Sequence, residues 1–323
     1  MRKPTLKGKK IIITGGAGFI GSNLARELCK DNKVTVIDNF STGRKENLKG
    51  IESKIRIVKG SITNLKLLRR EFKGADYVLH QAALCSVPRS VKEPEKTNRV
   101  NVEGTLKVLL AARDSGVKRV VYAASSSAYG NTPTLPKHEG MKPEPLSPYA
   151  VSKLAGEHYM RAFYEVYGLE TISLRYFNIF GPHQDPNSQY SAVIPLFIKA
   201  LLRGKKPTIY GDGKQSRDFT YVENVVNANI LACKARKTKG EVVNIACGER
   251  ITLLELVREL NRELGTSIKP AFGPERAGDV KHSLADITLA KKLIGYEPVV
   301  KVKEGLKRTI EFYKKEILKD KKR

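Results

Sequence analysis

The sequence predicts an α/β chain: a doubly wound parallel sheet with a smaller mixed α/β C-terminal region. Three observations carry that expectation. Residues 11–38 read as an apolar strand, a glycine turn, a helix and a second strand, which is one βαβ unit. Short β-rich runs then alternate with helical stretches up to about residue 180, as in a parallel sheet covered on both faces. Beyond 180 the texture changes to loops rich in Gly, Pro and charge between helices, and 323 residues exceed the usual size of one domain. We therefore expect residues 1–180 to form the sheet domain, with 220–250 returning to it, and 181–323 to form mainly a second domain.

The first unit is the most informative. Gly16, Gly18 and Gly21 give the spacing G-x-G-x-x-G, with Gly15 adding G-x-x-G-x-x-G, and Asp38 follows about twenty positions on. Glycine lets the chain turn sharply and brings its N–H groups close to a pyrophosphate, which the positive end of the following helix then attracts. Ile20, Leu24 and Leu28 give that helix an apolar stripe to lay on the sheet. Asp38 can accept both hydroxyls of an adenosine ribose, and its charge repels a 2′-phosphate. The turn, helix and carboxylate in register predict a Rossmann-type site for NAD rather than NADP.

Further strands are expected at 55–58, 76–80, 119–124 and 171–174, with helices at 62–73, 98–115 and 149–167. Gly60, Gly116 and Gly168 fall where elements should stop, and five prolines between 133 and 148 mark a loop. Val102, Leu106, Leu109 and Leu110 supply the buried face of the 98–115 helix. In the second region helices are expected at 190–203, 222–235 and 252–264, with a Gly-, Lys- and Asp-rich stretch at 205–218.

A second constellation is S-P-Y-A-V-S-K at 147–153. Tyr149 and Lys153, four apart, project from one face of a helix's first turns. A tyrosine is a poor base at its ordinary pKa near 10, and a neighbouring ammonium with a bound nicotinamide cation would stabilise the phenolate. Such a tyrosine can take a proton from a hydroxyl. Upstream, S-S-S-A-Y-G at 125–130 follows an apolar strand, which places serine hydroxyls at the carboxyl edge of the sheet, where open α/β sheets bind ligands.

Composition limits the alternatives. Fifty-nine Lys and Arg against 33 Asp and Glu give a formal charge of +26. That excess is spread along the chain and accompanies no nucleic-acid-binding motif, so a solvated basic surface is expected, with no nucleic acid partner. No segment approaches 18 uncharged apolar residues, so no membrane span is expected. The basic N-terminus lacks the apolar region of a signal peptide, which points to a cytoplasmic location. Cys29, Cys85, Cys233 and Cys247 are scattered, which suggests neither a metal site nor disulfides but reduced, mostly buried thiols.

Together these motifs resemble the extended short-chain dehydrogenase/reductases, and within them the nucleotide-sugar 4-epimerases. The likeness spans nearly the whole chain and rests on T-G-G-A-G-F-I-G at 14–21, D-N-F-S-T-G at 38–43, the serine and S-P-Y-A-V-S-K motifs, L-R-Y-F-N-I-F-G-P at 174–182, G-D-G-K-Q-S-R-D-F at 211–219 and R-A-G-D-V-K-H-S-L-A-D at 276–286. Q-D-P-N and V-I-P at 184–195 bring it nearest the UDP-N-acetylglucosamine 4-epimerase branch.

The resemblance implies an NAD-dependent inversion at C4 of a UDP-hexose, in which hydride is removed and returned through a 4-keto sugar. UDP-GlcNAc/UDP-GalNAc and UDP-Glc/UDP-Gal are the implied pairs. By the same resemblance Tyr149 is the proton acceptor, Ser125 shares that proton, and Lys153 is the lysine beside them. NAD contacts are implied for Gly15, Gly18, Phe19, Ile20 and Gly21 in the turn, and for Asn39, Ser41, Thr42 and Gly43 after Asp38. Gln81, Ala82 and Ala83 at a strand end, Asn101 near the nicotinamide ribose, and Tyr176 complete the cofactor set. Ser61 and Ile62 belong to it too, although Ser61 stands where relatives usually carry Asp. On the substrate side the resemblance places Ser86, Ser126 and Ser127 near the sugar and Asn178 at the diphosphate. Ala192, Val193 and Tyr210 fall at the uridine, and Gln215 with Asp279 nearby. Arg217 and Arg276 hold the phosphates, to which a planar guanidinium fork is suited. Ser283, four after Asp279, replaces the tyrosine that crowds an N-acetyl group in some relatives. A homodimer through a four-helix bundle of 98–115 and 149–167 is also implied. Competing readings are a UDP-uronate 4-epimerase, which the basic chain would suit, and a catalytically silent NAD-binding regulator. A 4,6-dehydratase needs an acid pair where Ser126 and Ser127 stand.

Overall fold

The computed structural model describes residues 4–185, 193–275 and 280–320, and among them seven parallel strands form one sheet. They are β1 (Lys10–Thr14), β2 (Lys33–Asp38), β3 (Ile55–Lys59), β4 (Tyr77–His80), β5 (Arg119–Ser125), β6 (Glu170–Tyr176) and β7 (Glu241–Ile245), in the order β7-β6-β5-β4-β1-β2-β3. The chain winds outward from β1 to β3, then crosses back to β4 and winds the other way. This reversal opens a crevice at the carboxyl ends of β1 and β4, the place where such sheets hold ligands.

The helices are α1 (Phe19–Leu28), α2 (Leu65–Phe72), α3 (Val87–Lys92), α4 (Pro94–Asn98), α5 (Gly104–Asp114), α6 (Pro148–Tyr167), α7 (Val193–Leu202), α8 (Val222–Lys234), α9 (Leu253–Leu264), α10 (Thr288–Ile294) and α11 (Val302–Asp320). Strand periodicity divides them into layers. Ile11 and Ile13 of β1 pack with Leu24, Ala25, Val225 and Ile230 from α1 and α8, whereas Ile12 packs with Leu68, Phe72, Val108 and Met160 from α2, α5 and α6. Both faces are therefore covered, which explains why these strands are continuously apolar. A separate cluster of Phe197, Ile198, Leu256, Leu260, Leu306 and Ile310 joins α7, α9 and α11 beside the sheet's carboxyl edge.

Two expectations need correction. On α5 the buried residues are Gly104, Thr105, Val108, Leu109, Ala111 and Ala112, while Leu106 and Leu110, and Val102 in the turn before the helix, are only half-buried. A π-helical turn at Arg99–Glu103 joins α4 to α5, and its extra residue puts Val102 out of phase with the helix that follows. Leu106 and Leu110, within α5 itself, lie at the edge of its buried face and pack against the same core cluster. Of the cysteines, Cys233 and Cys247 are buried but Cys85 is exposed; all four are free. Among the described residues no helix is long and apolar enough to cross a membrane, and no cluster of metal-ligating side chains occurs.

Candidate active site

A cavity of about 1400 Å³ runs along the carboxyl ends of β1, β2, β4 and β5. Its floor is the glycine turn. A Cβ on Gly21 would lie 2.2 Å from the Gly15 carbonyl oxygen, and one on Gly15, where φ is +69°, would lie 2.7 Å from the Ala82 backbone. No side chain fits either place, so the backbone itself forms the surface that a pyrophosphate would meet at the N-terminus of α1. At the end of β2, the Asp38 carboxylate accepts the Ala17 N–H at 2.9 Å and the Phe40 N–H at 2.8 Å. Burial pushes its pKa up, and those two N–H groups pull it back. Asp38 is thus held rigidly where a ribose would sit. A glycine-lined cradle with a fixed carboxylate beyond it fits NAD.

Every residue expected to hold the cofactor lines this cavity except Asn101. Ser61 is there, its hydroxyl bonded to Thr63 Oγ1 at 2.8 Å. Asn101 is instead buried on the π turn, where its amide brackets Leu84 and reaches the catalytic helix. Its Oδ1 accepts the Leu84 N–H at 2.8 Å, and its Nδ2 donates to Ser152 Oγ at 3.0 Å. Asn101 therefore ties the Ala83–Ser86 loop to α6 rather than facing the cavity. Next to it, His80 is clasped between Thr14 Oγ1 at 2.8 Å and Thr105 Oγ1 at 2.9 Å. Burial pulls its pKa down to about 3, so the ring is neutral.

The chemical end lies between β5 and α6. Ser147 caps α6 by accepting the Ala150 N–H, and Pro148 occupies the first helical position, which sets Tyr149 and Lys153 on the face toward the sheet. Ser125, Tyr149 and Lys153 all line the cavity. The Lys153 ammonium donates to the Ala123 carbonyl at 2.7 Å and lies 4.8 Å from the centre of the Tyr122 ring. Burial pulls the Lys153 pKa down. Burial likewise drives the Tyr149 pKa well above its ordinary value; the nearby Cys85 adds to this, while the Ser125 hydroxyl opposes it. In this state Tyr149 is a phenol. Of the three serines only Ser125 faces the cavity; Ser127 instead donates to Ser125 Oγ at 2.9 Å, and Ser126 sits in the same short turn.

Ser86, the cap of α3, and Asn178 extend the lining toward the second core. Asn178 Nδ2 donates to the Asp218 carbonyl at 3.0 Å and to Ser283 Oγ at 2.9 Å. Asp218 is fully buried, and its carboxylate accepts the N–H groups of Cys247, Gly248 and Ala285. Gln215 donates to the Tyr210 carbonyl at 2.6 Å, and Arg217 donates to the carbonyls of Ser216 and Lys281 at 3.1 Å. Tyr210, Gln215 and Arg217 do not line the cavity, and Val193 opens α7. Ala192, Arg276 and Asp279 lie outside the described residues. Sequence reasoning missed Arg44, Cys85, Arg89, His183 and Asp185, all of which line the cavity. Cys85 and Arg89 flank Ser86 closely enough that the strand-end position alone could have flagged them.

Residues 11–246 match the family described as the NAD dependent epimerase/dehydratase family. The fold is similar to that of a UDP-N-acetylglucosamine 4-epimerase from Methanobrevibacter ruminantium, solved with UDP-N-acetylmuramic acid, at a TM-score of 0.93 and 42% identity over 96% of this chain and 100% of that one. A UDP-glucose 4-epimerase of Mycolicibacterium smegmatis is 38% identical over 94% of this chain and 98% of its own length. A UDP-glucuronic acid 4-epimerase variant from Bacillus cereus, solved with NAD and a fluorinated UDP-glucuronic acid, aligns at a TM-score of 0.88 and 32% identity over 95% of this chain and 99% of that one.

Proposed function

This chain belongs to the NAD dependent epimerase/dehydratase family, and on that footing we propose that it is an NAD-dependent UDP-hexose 4-epimerase. The observation that carries the reading is the placing of Ser125, Tyr149 and Lys153 in the same cavity as the Gly15–Gly21 cradle and Asp38. Bound NAD supplies a two-electron acceptor that is restored within each turnover, so the sugar passes through a 4-keto form without net oxidation. Tyr149 takes the proton from the sugar O4, and Ser125 shares and orients it. Lys153, one helical turn from Tyr149 and fixed on the Ala123 carbonyl, supplies the positive charge that supports ionisation of the phenol. Tyr210, Gln215, Arg217 and Arg276 hold the UDP, which leaves the sugar free to turn over between two faces.

The substrates are UDP-GlcNAc/UDP-GalNAc together with UDP-Glc/UDP-Gal. Supporting the acetylated pair are the small Ser283 and the likeness to a UDP-N-acetylglucosamine 4-epimerase. A UDP-uronate is the second reading, favoured by the +26 charge and by the likeness to a UDP-glucuronic acid 4-epimerase. The protein acts in the cytoplasm as a homodimer through α5 and α6. Half-buried Leu106 and Leu110 on α5 and exposed Val151 and Val166 on α6 give those helices an outer apolar surface that supports this packing. Incubating the purified protein with UDP-GlcNAc, UDP-Glc and UDP-glucuronic acid separately, and resolving C4 epimers by NMR, tests the reading. Formation of UDP-GalNAc and UDP-Gal is expected. No conversion of any of the three overturns it.

A further inference from the structure

Asn178 holds a backbone conformation that few side chains adopt, with φ at 39°. Asparagine tolerates it because its short amide can bond nearby groups. Both amide hydrogens are committed here, one to the Asp218 carbonyl and one to Ser283 Oγ. A carbonyl oxygen only accepts, so the nitrogen must be the atom facing Asp218, and the orientation of the amide is fixed. Ser283 is equally constrained. Its Oγ also accepts the Asp218 N–H at 3.3 Å, and its own N–H donates to the Ser216 carbonyl at 3.0 Å. Asn178 nevertheless lines the cavity, and with its nitrogen engaged the remaining polar atom of the side chain is Oδ1.

We propose that Ser283 is a positioning residue, not only a small one: its hydroxyl, together with the Asp218 carbonyl, holds the Asn178 amide so that the carbonyl oxygen meets a hydrogen-bond donor of the sugar, a hydroxyl or an acetamido N–H. An oxygen presented in this way disfavours contact with an anionic diphosphate, which distinguishes the role from the one the sequence implied for Asn178. The inference rests on the UDP-sugar reading above. It separates two properties of Ser283 that a change to tyrosine would confound, namely volume and hydrogen bonding.

The test is a cycle of Ser283→Ala, Asn178→Ala and the double variant, with Ser283→Thr as the conservative replacement. The readouts are kcat and KM for UDP-GlcNAc and UDP-Glc, and the Kd of UDP-sugar and of UDP alone by calorimetry. Bound NAD and melting temperature establish that each variant is folded. Ser283→Ala should lower kcat/KM about tenfold on both sugars, because Asn178 Nδ2 and the Asp218 N–H both lose the acceptor that Oγ provides. UDP alone should bind as before, Ser283→Thr should restore most of the activity, and the double variant should be no worse than Asn178→Ala. Unchanged kcat/KM in Ser283→Ala, or losses that multiply in the double variant, would overturn the proposal. Should wild type bind UDP-sugars without converting them, the proposed function fails, and the Kd cycle alone decides whether Ser283 acts through Asn178.

Discussion

Gly156→Ala should damage catalysis far more than stability. Gly156 lies on α6 one turn beyond Lys153, and a Cβ there would stand 2.3 Å from Tyr122 Oη and 2.5 Å from its Cζ. Tyr122 is 1% exposed, wedged between the His80 ring and the Lys153 ammonium, and cannot swing away. Normal contact requires roughly 1 Å more, which must come from lifting α6 off β5. Alanine in a helix interior is intrinsically better than glycine by about 1 kcal/mol, while overpacking costs about 1–3 kcal/mol. The net stability change is therefore small, on the order of 0–2 kcal/mol of loss. Catalysis has no such offset, because Tyr149 and Lys153 ride on the lifted segment, and a misplacement of about 1 Å can cost about 100-fold. The assay is kcat on saturating UDP-GlcNAc with melting temperature and NAD content measured on the same sample. A variant with a raised melting temperature and kcat within about twofold of wild type would refute the reasoning, since the helix would then have absorbed the methyl without moving.

Four further outcomes are expected. Tyr149→Phe should lower kcat by about 10² to 10⁴ while UDP-sugar binding persists, measured by steady-state kinetics and calorimetry; a near-normal rate would assign the proton to another group. The protein should purify with NAD bound, detectable in the supernatant after denaturation, and Asp38→Asn should weaken that retention and admit NADP. Ser283→Tyr should lose acetylated relative to plain activity, compared as kcat/KM ratios; an unchanged ratio removes the steric basis of the substrate assignment. His80 has a folded-state pKa of about 3 against an ordinary 6.5. The unfolded chain therefore takes up a proton that the folded one refuses, so its contribution is intact above pH about 6.5 and falls by about 1.4 kcal/mol per pH unit toward pH about 3. Burial pushes the Asp218 carboxyl up to about 7, which gives an opposite slope in the same range. Urea melts at pH 7 and 5 should therefore differ between wild type and His80→Gln by the His80 slope, while the Asp218 part is common to both.

The parts of the site that sequence reveals are those built from local spacing. Gly15, Gly18, Gly21 and Asp38 belong to one βαβ unit, and Tyr149 and Lys153 are one helical turn apart, so a short window contains all their geometry. The parts it hides depend on chain segments meeting from afar. Asn178 and Ser283 are 105 positions apart, and nothing in either neighbourhood announces the bond between them. Asn101 is picked out by resemblance alone; its bonds to Leu84 and Ser152, made from a π turn, join segments that no local spacing connects. Arg44 and Asp185, which pair at 3.5 Å at the cavity's rim, come from two loops whose paths no residue pattern specifies.

The last strand of the sheet also dictates an order of events at the ribosome. β7 pairs with β6 in register from Glu241 opposite Ile172, although some sixty-five residues separate the end of β6 from the start of β7. Until that strand emerges, β6 offers a bare edge able to template pairing with any other extended chain. Arg119 in β5 waits in part as well: its buried guanidinium pairs with Glu170 of β6 but finds its other acceptors in the carbonyls of Ala232 and Cys233 at the end of α8. At about 5–20 residues per second, the nascent chain spends roughly 3–13 s with that edge open. A fragment ending near residue 180 would remain in that state permanently, so the nucleotide-binding part is not a detachable module but a structure that the later half of the gene completes.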